Sequence, residues 1–241
     1  MIEVHNLTFG YSATEDGQIL KGVDFAAKTG KLTALIGTNG AGKSTLLKTI
    51  MGILKGKGEI SVNGKPVSQY STKDFSSTVS YLSQDNDCKV NLSVFEVVML
   101  GRMGSMSFRV SDEDIAATQE VLERLNLQRF ASRSIMELSG GQRQLVFMAQ
   151  ALVKEPKILI LDEPTSALDL HKQFDLLTLL KNLTQENDFT TLVTLHHLDL
   201  AAMFADEIIV LKEGRVYAQG APKDIFTEAM MEDVYRVKTK I

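Results

Sequence analysis

Residues 37–44 read Gly37-Thr38-Asn39-Gly40-Ala41-Gly42-Lys43-Ser44, with Gly37 and Gly42 separated by four residues and followed by Lys and Ser. The apolar stretch 32–36 before them is typical of a buried strand, and residues 45–51 after them have helical spacing. A strand that enters a helix through a glycine-rich turn directs several backbone N–H groups and the positive end of the helix dipole at one place. That place is predicted to bind phosphate, with Lys43 reaching the outer phosphates and Ser44 placed to ligate Mg²⁺.

A second motif is the acidic pair Asp162-Glu163, which directly follows the apolar run 158–161. The chain alternates strand and helix patterns here, which favours a parallel sheet whose carboxyl edge binds ligands. Asp162 is therefore predicted to emerge beside the phosphate loop, where a carboxylate can hold Mg²⁺. Glu163 is predicted to polarise a water molecule for attack on a terminal phosphate.

The third motif is Leu138-Ser139-Gly140-Gly141-Gln142. Ser139 and Gln142 have the spacing of a capping box, and an apolar stripe follows, which predicts the start of a helix. Two glycines at the positive end of this helix also leave N–H groups for a second anion site in the same chain.

Each motif has a plainer structural reading. The first could be an ordinary glycine turn with a solvated lysine, the second a strand that ends in solvated acids, and the third only a capped helix. The occurrence of all three in one chain favours the phosphate-binding interpretation.

The wider pattern predicts an α/β fold. Strands are predicted at 2–9, 22–28, 32–36, 59–62, 79–82, 157–161, 190–195 and 207–211. Asn63-Gly64 indicates a hairpin, and capping boxes at Ser93 and Ser111 indicate helices, the second with Ile115, Leu122 and Leu125 on its apolar face. We expect one domain, 1–241, with a nucleotide-binding core at 1–84 and 157–241 that includes an antiparallel β subdomain. A helical lobe at 85–156 is inserted into it.

Composition narrows the class of protein. The 241 residues are 44% hydrophobic and 23% charged, as in soluble globular proteins. The net charge of −4 disfavours a nucleic-acid-binding surface, and the single Cys88 excludes an internal disulfide. The N-terminus lacks the features of a signal peptide, and no run approaches the ~18 apolar residues of a membrane span. The chain is expected to be cytosolic and to meet a membrane only through a partner.

Together the three motifs resemble an ATP-binding-cassette (ABC) ATPase, over essentially the whole chain. Gly37 to Thr45 matches the phosphate loop, Leu138 to Gln142 the family signature, and Ile158 to Glu163 the acidic strand. Ser166-Ala167-Leu168-Asp169 matches the short loop that follows that strand. The resemblance implies the phosphate-loop NTPase fold, ATP hydrolysis, and ATP and Mg²⁺ as ligands.

The resemblance also implies further site residues. Tyr11 matches the aromatic residue that stacks on adenine, Gln84 the hinge glutamine, and His196 the switch histidine that contacts the γ-phosphate. The implied catalytic set is Glu163, His196, Lys43 and Gln84, and the implied Mg²⁺ set is Ser44, Gln84 and Asp162. The implied ATP contacts are Tyr11, Gly37, Thr38, Asn39, Gly40, Ala41, Gly42, Lys43, Ser44 and Thr45, with Ser139, Gly140, Gly141, Gln142 and Asp169 from a second copy.

Two positions depart from the family pattern, and a third has an alternative structural interpretation. Thr38 stands where the family usually has Pro, and His197 stands where an acid is common. Phe9, two residues before Tyr11, would face the same side of a strand and could belong to the core instead.

The family arrangement implies a head-to-tail homodimer in which the signature of one chain covers the phosphate loop of the other. A lone cassette resembles the separate ATPase subunit of an importer, docked on permease subunits at the cytoplasmic side of the membrane and served indirectly by an extracytoplasmic binding protein. Segments 97–102, 195–201 and 233–235 look like the branch that imports iron-siderophores, haem or cobalamin. The docking cleft is expected at Gln84 to Arg109, where Met99, Met103 and Met106 either line it or lie in the core of the lobe.

Two alternative functions remain at this stage. One is the ATPase of an exporter, which would work without an extracytoplasmic binding protein. The other is a soluble ABC protein of nucleic-acid repair or translation, although such proteins usually carry two cassettes or a long coiled-coil insertion. A simple phosphate-loop kinase has no use for the signature, and no nucleic-acid partner is expected.

Overall fold

A six-stranded sheet lies at the centre of the computed structural model, which describes residues 1–12, 17–84, 91–102 and 110–239. Its strands are β3 (Lys31–Ile36), β6 (Val79–Leu82), β7 (Ile158–Leu161), β8 (Thr190–Thr194), β9 (Glu207–Lys212) and β10 (Arg215–Gly220). The order across the sheet is β10-β9-β3-β8-β7-β6. All neighbours pair in parallel except β9 and β10, which are antiparallel. The predicted mixed sheet is confirmed.

A smaller antiparallel sheet covers one side of the central sheet. Its strands are β1 (Ile2–Gly10), β2 (Gln18–Ala27), β4 (Lys57–Val62) and β5 (Lys65–Pro66), in the order β2-β1-β4-β5. The predicted hairpin joins β4 to β5: Asn63 and Gly64 have φ angles of 51° and 75°, which a mirror-image turn requires. The predicted N-terminal β subdomain is therefore present.

Helices connect the strands of the central sheet and cover its faces. They are α1 (Lys43–Ile50), α2 (Thr72–Thr78), α3 (Val94–Met99), α4 (Asp112–Arg124), α5 (Gly140–Leu152), α6 (Leu170–Glu186), α7 (Leu198–Phe204), α8 (Pro222–Ile225) and α9 (Glu228–Tyr235). Among the described residues, every helix is too short or too polar to cross a bilayer.

Three of these helices, α3, α4 and α5, lie between β6 and β7, where the helical lobe was predicted. Each begins with the capping box expected from the sequence, formed by Ser93, Ser111 and Ser139. The helical character of this part is as expected, and the limits 85 and 156 of the lobe stay a prediction.

The apolar core is divided by the central sheet. Along β3, Leu32, Ala34 and Ile36 pack in a cluster with the helices of the lobe, whereas Leu35 packs in a second cluster with α1 and the antiparallel sheet. Successive side chains of a strand point to opposite faces, so a strand with both faces covered is largely apolar. This explains the apolar runs from which β3 and β7 were predicted, although β3 also buries Thr33.

Two features of the fold differ from expectation. Ile115 was expected on the apolar face of α4, but it is 37% exposed, in the first turn of the helix. Helical spacing indicates which face is apolar, but not how far along that face a neighbouring element extends. Strand β10 was not predicted, because it is an edge strand with alternate residues exposed and no apolar run.

Arg102 joins the three helices of the lobe. Its Nε lies 2.6 Å from Oδ1 of Asp114 in α4, and its guanidinium also donates to the carbonyl of Val153 at the end of α5, at 3.1 Å. The hydrogen bond from Arg102, followed by those from Ser111, lowers the pKa of Asp114 from 3.8 to about 2. The ionised form of Asp114 is therefore favoured by folding.

We predict that Asp114→Asn lowers the urea midpoint of unfolding at pH 7, and that this difference shrinks at pH 3. A carboxylate whose pKa is depressed by folding stabilises the protein above its unfolded pKa, and this contribution is lost as the pH falls through the folded value. The stabilising contribution of Asp114 is therefore lost between pH 3.8, the ordinary pKa, and pH about 2, the pKa in the folded protein. Glu123→Gln, an exposed acid of the same helix, is the control. Equal midpoint differences at both pH values would contradict the assignment.

Candidate active site

The glycine-rich loop joins β3 to α1, and its glycines serve two purposes. Gly37 has φ 149°, and a Cβ there would lie 2.2 Å from the carbonyl oxygen of Leu211 in β9. Gly42 has φ 104°, and its Cβ would lie 3.2 Å from side chains of β2. Gly40 has φ 80°, yet nothing lies within 4 Å of the position of its Cβ. Two glycines thus fit the loop against the protein, and the third faces open space.

The N-terminus of α1 is built to receive an anion. Its N-cap is Gly42, and no side chain caps the first turn, so its N–H groups point into the loop. Nζ of Lys43 donates to the carbonyls of Gly37 and Thr38, at 2.8 and 3.2 Å. Burial lowers the pKa of Lys43, and the charges of Glu163 and Asp162 act in the opposite direction. The lysine therefore lies in the field of the predicted acidic pair.

The acidic pair is held by one hydroxyl of the neighbouring strand. Oγ1 of Thr194, at the end of β8, donates to Oδ1 of Asp162 at 2.9 Å and accepts from the backbone N–H of Glu163 at 2.7 Å. Glu163 has φ 52°, a left-handed conformation that is uncommon outside glycine and costs strain. Such strain is typical of functional positions.

The carboxylate of Glu163 contacts two of the other predicted catalytic side chains. Nε2 of Gln84 donates to its Oε2 at 2.7 Å, and Nε2 of His196 contacts its Oε1. Glu163 is 9% exposed, whereas Gln84 and His196 lie at the surface. Two side chains from loops that follow β6 and β8 thus hold one carboxylate, after β7, in a fixed orientation.

The residues predicted to hold Mg²⁺ suit a hard cation. Oδ2 of Asp162 is buried and has no hydrogen-bond partner in the described part of the chain, which is costly for a carboxylate unless a cation satisfies it. The set of Ser44, Gln84 and Asp162 offers only oxygen ligands. No group of three His, Cys, Asp or Glu residues within 1–12, 17–84, 91–102 and 110–239 could hold a metal by itself. Mg²⁺ is usually bound through one or two carboxylates together with substrate phosphates, and Asp162 offers one carboxylate.

The signature residues begin α5 as expected. Oγ of Ser139 accepts from the N–H of Gln142, and the Gln142 side chain accepts from the N–H of Ser139. A Cβ on Gly140 would meet nothing within 4 Å, whereas one on Gly141 would lie 2.9 Å from the carbonyl oxygen of Ala167. Ser139 and Gly140 therefore lie open at the positive end of the helix, and Gly141 packs against its own chain.

The sequence profile that defines the ABC transporter family matches residues 20–166. This range includes the glycine-rich loop, the signature and the acidic pair. The chain belongs to the ABC transporter family. It is an ATP-binding ATPase of that family.

Two curated relatives and one solved structure illustrate the similarity. The iron(3+)-hydroxamate import ATP-binding protein FhuC of Bacillus subtilis is 37% identical over 243 residues, covering 100% of this chain and 89% of the relative. The hemin import ATP-binding protein HmuV of Streptomyces coelicolor is 38% identical over 218 residues, covering 90% of this chain and 78% of the relative. The bacterial ABC transporter cassette MJ0796, solved as a dimer, is 30% identical with a TM-score of 0.83, covering 92% of this chain and 99% of that one. The predicted family and fold are confirmed.

The other residues predicted to contact ATP lie outside the glycine-rich loop. Tyr11 is 71% exposed, and its ring packs edge-on against partly buried Phe9, with centroids 5.0 Å apart. Asp169 caps α6 by accepting from the N–H of Lys172 at 3.0 Å, and it pairs with the Lys172 ammonium at 2.7 Å. Within the described residues, no hydrogen bond or ion pair joins Asp169 or the side chains of residues 139–142 to Lys43, Asp162 or Gln84. Their roles stay predictions.

Sequence reasoning missed two residues of the site. Thr194 was predicted only as part of a strand, although a hydroxyl near the carboxyl end of an apolar strand is a usable signal. Gln144 was passed over in the helix that follows the signature. Its side chain donates to the carbonyl of Glu163 at 3.0 Å and accepts from the N–H of Ala167 at 3.1 Å.

The arrangement around Glu163 can support general-base catalysis. A carboxylate oriented by Gln84 and His196 is able to accept the proton of an attacking water molecule. The Lys43 ammonium and the N–H groups of α1 are placed to stabilise negative charge on phosphate oxygens. The site therefore combines a candidate phosphate cradle with a carboxylate that is held in one orientation.

We predict that Glu163→Gln keeps ATP binding but lowers ATP turnover by roughly 10²–10⁴-fold, because the amide cannot accept the proton. Nucleotide affinity and steady-state phosphate release measure the two effects separately. Glu186→Gln, an exposed acid near the end of α6, is the matched control and should change neither. If turnover of Glu163→Gln stays at the wild-type level, Glu163 is not the base.

Proposed function

We propose that this ABC ATPase drives import of an iron-siderophore, haem or cobalamin. The relatives described above support the first two cargo classes, since one is named for iron(3+)-hydroxamate import and the other for hemin import. The observation that carries the proposed chemistry is the Glu163 carboxylate, held by Gln84 and His196 beside the unpartnered Oδ2 of Asp162. This arrangement suits hydrolysis of a phosphoanhydride.

The proposed roles of the side chains follow from their contacts. Glu163 takes the proton of the attacking water, His196 and Gln84 keep its carboxylate oriented, and Lys43 neutralises charge on the outer phosphates. Ser44, Asp162 and the amide oxygen of Gln84 would hold Mg²⁺, which would neutralise phosphate charge when bound. Asp162 is oriented by Thr194, so its second oxygen points away from that hydrogen bond.

The complete site is proposed to need two copies of the chain. The N-termini of α1 and α5 each offer uncompensated N–H groups, and Gly40 and Gly140 each face open space. A triphosphate that lies on α1 of one copy carries enough negative charge to bind α5 of a second copy. The dimeric MJ0796 cassette shows that a relative of this fold assembles in pairs. A two-fold axis then produces two equivalent sites.

A groove beside β6 is proposed to receive a permease subunit. It has a volume of about 450 Å³ and is lined by β6, the end of α3 and one face of α5, including Tyr81, Leu100 and Phe147. Leu100 is 42% exposed, which a docked helix would cover. Of the predicted docking segment 84–109, Met99 is partly buried, and Met103 and Met106 lie outside the described residues. Docking of this kind would place the chain at the cytoplasmic face of the membrane, with an extracytoplasmic binding protein on the opposite side.

We predict that Ser139→Arg leaves ATP binding by one chain intact and lowers hydrolysis by roughly 100-fold or more, since the added side chain keeps the second copy from the phosphates. Glu163→Gln, which binds ATP without hydrolysing it, should trap an ATP-bound dimer on size-exclusion chromatography, and adding Ser139→Arg should abolish that dimer. Ser132→Arg adds the same charge at another exposed position of the lobe and is the control. Full activity of Ser139→Arg would overturn the shared site.

The transported solute is tested in the complex with the permease. After reconstitution in vesicles, we expect ATPase activity to rise when the binding protein carries an iron hydroxamate or haem. Empty binding protein is the control, and cobalamin-loaded protein tests the third cargo. Stimulation without any binding protein would indicate an exporter instead, and co-purification with nucleic acid would indicate a repair or translation protein.

A further inference from the structure

Gln144 links the signature helix to the loop that carries Glu163. It lies five residues after Ser139 in α5, and both ends of its amide bond to the same loop. Nε2 donates to the carbonyl of Glu163 at 3.0 Å, and Oε1 accepts from the N–H of Ala167 at 3.1 Å. An amide that bonds one backbone acceptor and one backbone donor fixes both the distance and the orientation of the two segments.

The packing around Gln144 strengthens this link. A Cβ on Gly141, one turn earlier in α5, would lie 2.9 Å from the carbonyl oxygen of Ala167 and 3.2 Å from Cδ2 of Leu168. The loop is also held from its other side, because Nε2 of Gln173 in α6 donates to the carbonyls of Thr165 and Leu168, at 3.1 and 3.0 Å. The start of α5 therefore contacts a loop that has little freedom to move away from it.

The two glycines of the signature divide between these surfaces. Gly140 faces open space, where a second chain's nucleotide is proposed to bind, and Gly141 faces Ala167 of its own chain. In the proposed dimer, one side of the first turn of α5 faces the ATP site of the partner chain, and the other side packs on the loop after Glu163 of its own chain. Gln144 lies about 7.5 Å along the helix axis from Ser139, at 1.5 Å per residue. A displacement of the signature is transmitted over this distance by one rigid helix.

We propose that Gln144 is a positioning residue that couples the two ATP sites of the dimer. This inference rests on the proposed head-to-tail dimer. ATP in one site draws the signature of the second chain toward it, and Gln144 of that second chain carries the displacement to the backbone of its own Glu163. Glu163 belongs to the other site, so binding at one site sets the position of the base at the other. The coupling is the difference that ATP at one site makes to the free energy of ATP binding at the other site.

Two substitutions separate the parts of the link. Gln144→Glu keeps an oxygen for the Ala167 N–H but places an oxygen opposite the Glu163 carbonyl, so it removes only the bond to Glu163. Gln144→Leu has a similar size and removes both bonds. Gln119→Ala, an exposed glutamine of α4, is the control. The full chain is used throughout, and the melting temperature is recorded for each variant.

Three measurements test the coupling: ATP affinity, turnover, and the Hill coefficient of ATP hydrolysis. We expect ATP affinity to stay at the wild-type value in both Gln144 variants, because in the described part of the chain the Gln144 side chain hydrogen-bonds to Glu163 and Ala167 and not to the glycine-rich loop. Turnover should fall by roughly 10–100-fold, the effect of misplacing a catalytic group by a fraction of an ångström to 1 Å. The wild-type Hill coefficient should be clearly above 1, up to the limit of about 2 for two sites, and should fall to about 1 in Gln144→Leu.

The outcomes distinguish this inference from the proposed function. A wild-type Hill coefficient of about 1, or Gln144 variants that match Gln119→Ala in turnover and cooperativity, would overturn the coupling while leaving the dimer intact. If the Gln144 variants lose ATP affinity and melting temperature as well as turnover, Gln144 has a merely structural role, and this outcome would also overturn the coupling. If Glu163→Gln forms no ATP-trapped dimer, the proposed shared site fails instead.

Discussion

The active site depends on the parallel pairing of β3, β8 and β7, which brings the ends of three strands to one edge of the sheet. β3 leads into the glycine-rich loop, β7 into Asp162 and Glu163, and β8 into His196. A parallel sheet is covered on both faces, so the buried positions of these strands are apolar residues or threonines, and the charged side chains follow the strand ends. The same constraint that buries the core thus brings the predicted catalytic groups together.

Charge balance at this edge is the second organising feature. Lys43 is largely buried, and burial alone disfavours its charge, whereas Asp162 and Glu163 favour it. Each acid is in turn held by neighbouring side chains: Thr194 orients Asp162, and Gln84 and His196 orient Glu163. The second carboxylate oxygen of Asp162 is the exception, since it is buried and has no hydrogen-bond partner among the described residues. A bound cation would satisfy it.

The signature helix has two different sides, one that packs on its own chain and one that is open for the proposed second copy. Its capping box satisfies the N–H groups of Ser139 and Gln142, Gly140 leaves one side open, and Gly141 and Gln144 join the other side to the loop after Glu163. A residue such as Asp169, which the family resemblance assigns to a partner's nucleotide, also caps a helix of its own chain. The proposed functional role of such a residue therefore would add to a structural role that it already has in its own chain.

The sequence by itself determined the features that are encoded within a few consecutive residues. These include the three motifs, the capping boxes at Ser93, Ser111 and Ser139, the Asn63-Gly64 hairpin and most of the strands, because local spacing and turn chemistry specify them. Only the tertiary structure decided which distant groups meet. Thr194 reaches Asp162 across 32 residues of sequence and Gln144 reaches Glu163 across 19, and the exposure of Ile115 depends on where a neighbouring element ends. Contacts of this kind follow from strand order and helix packing, which no short window of sequence contains.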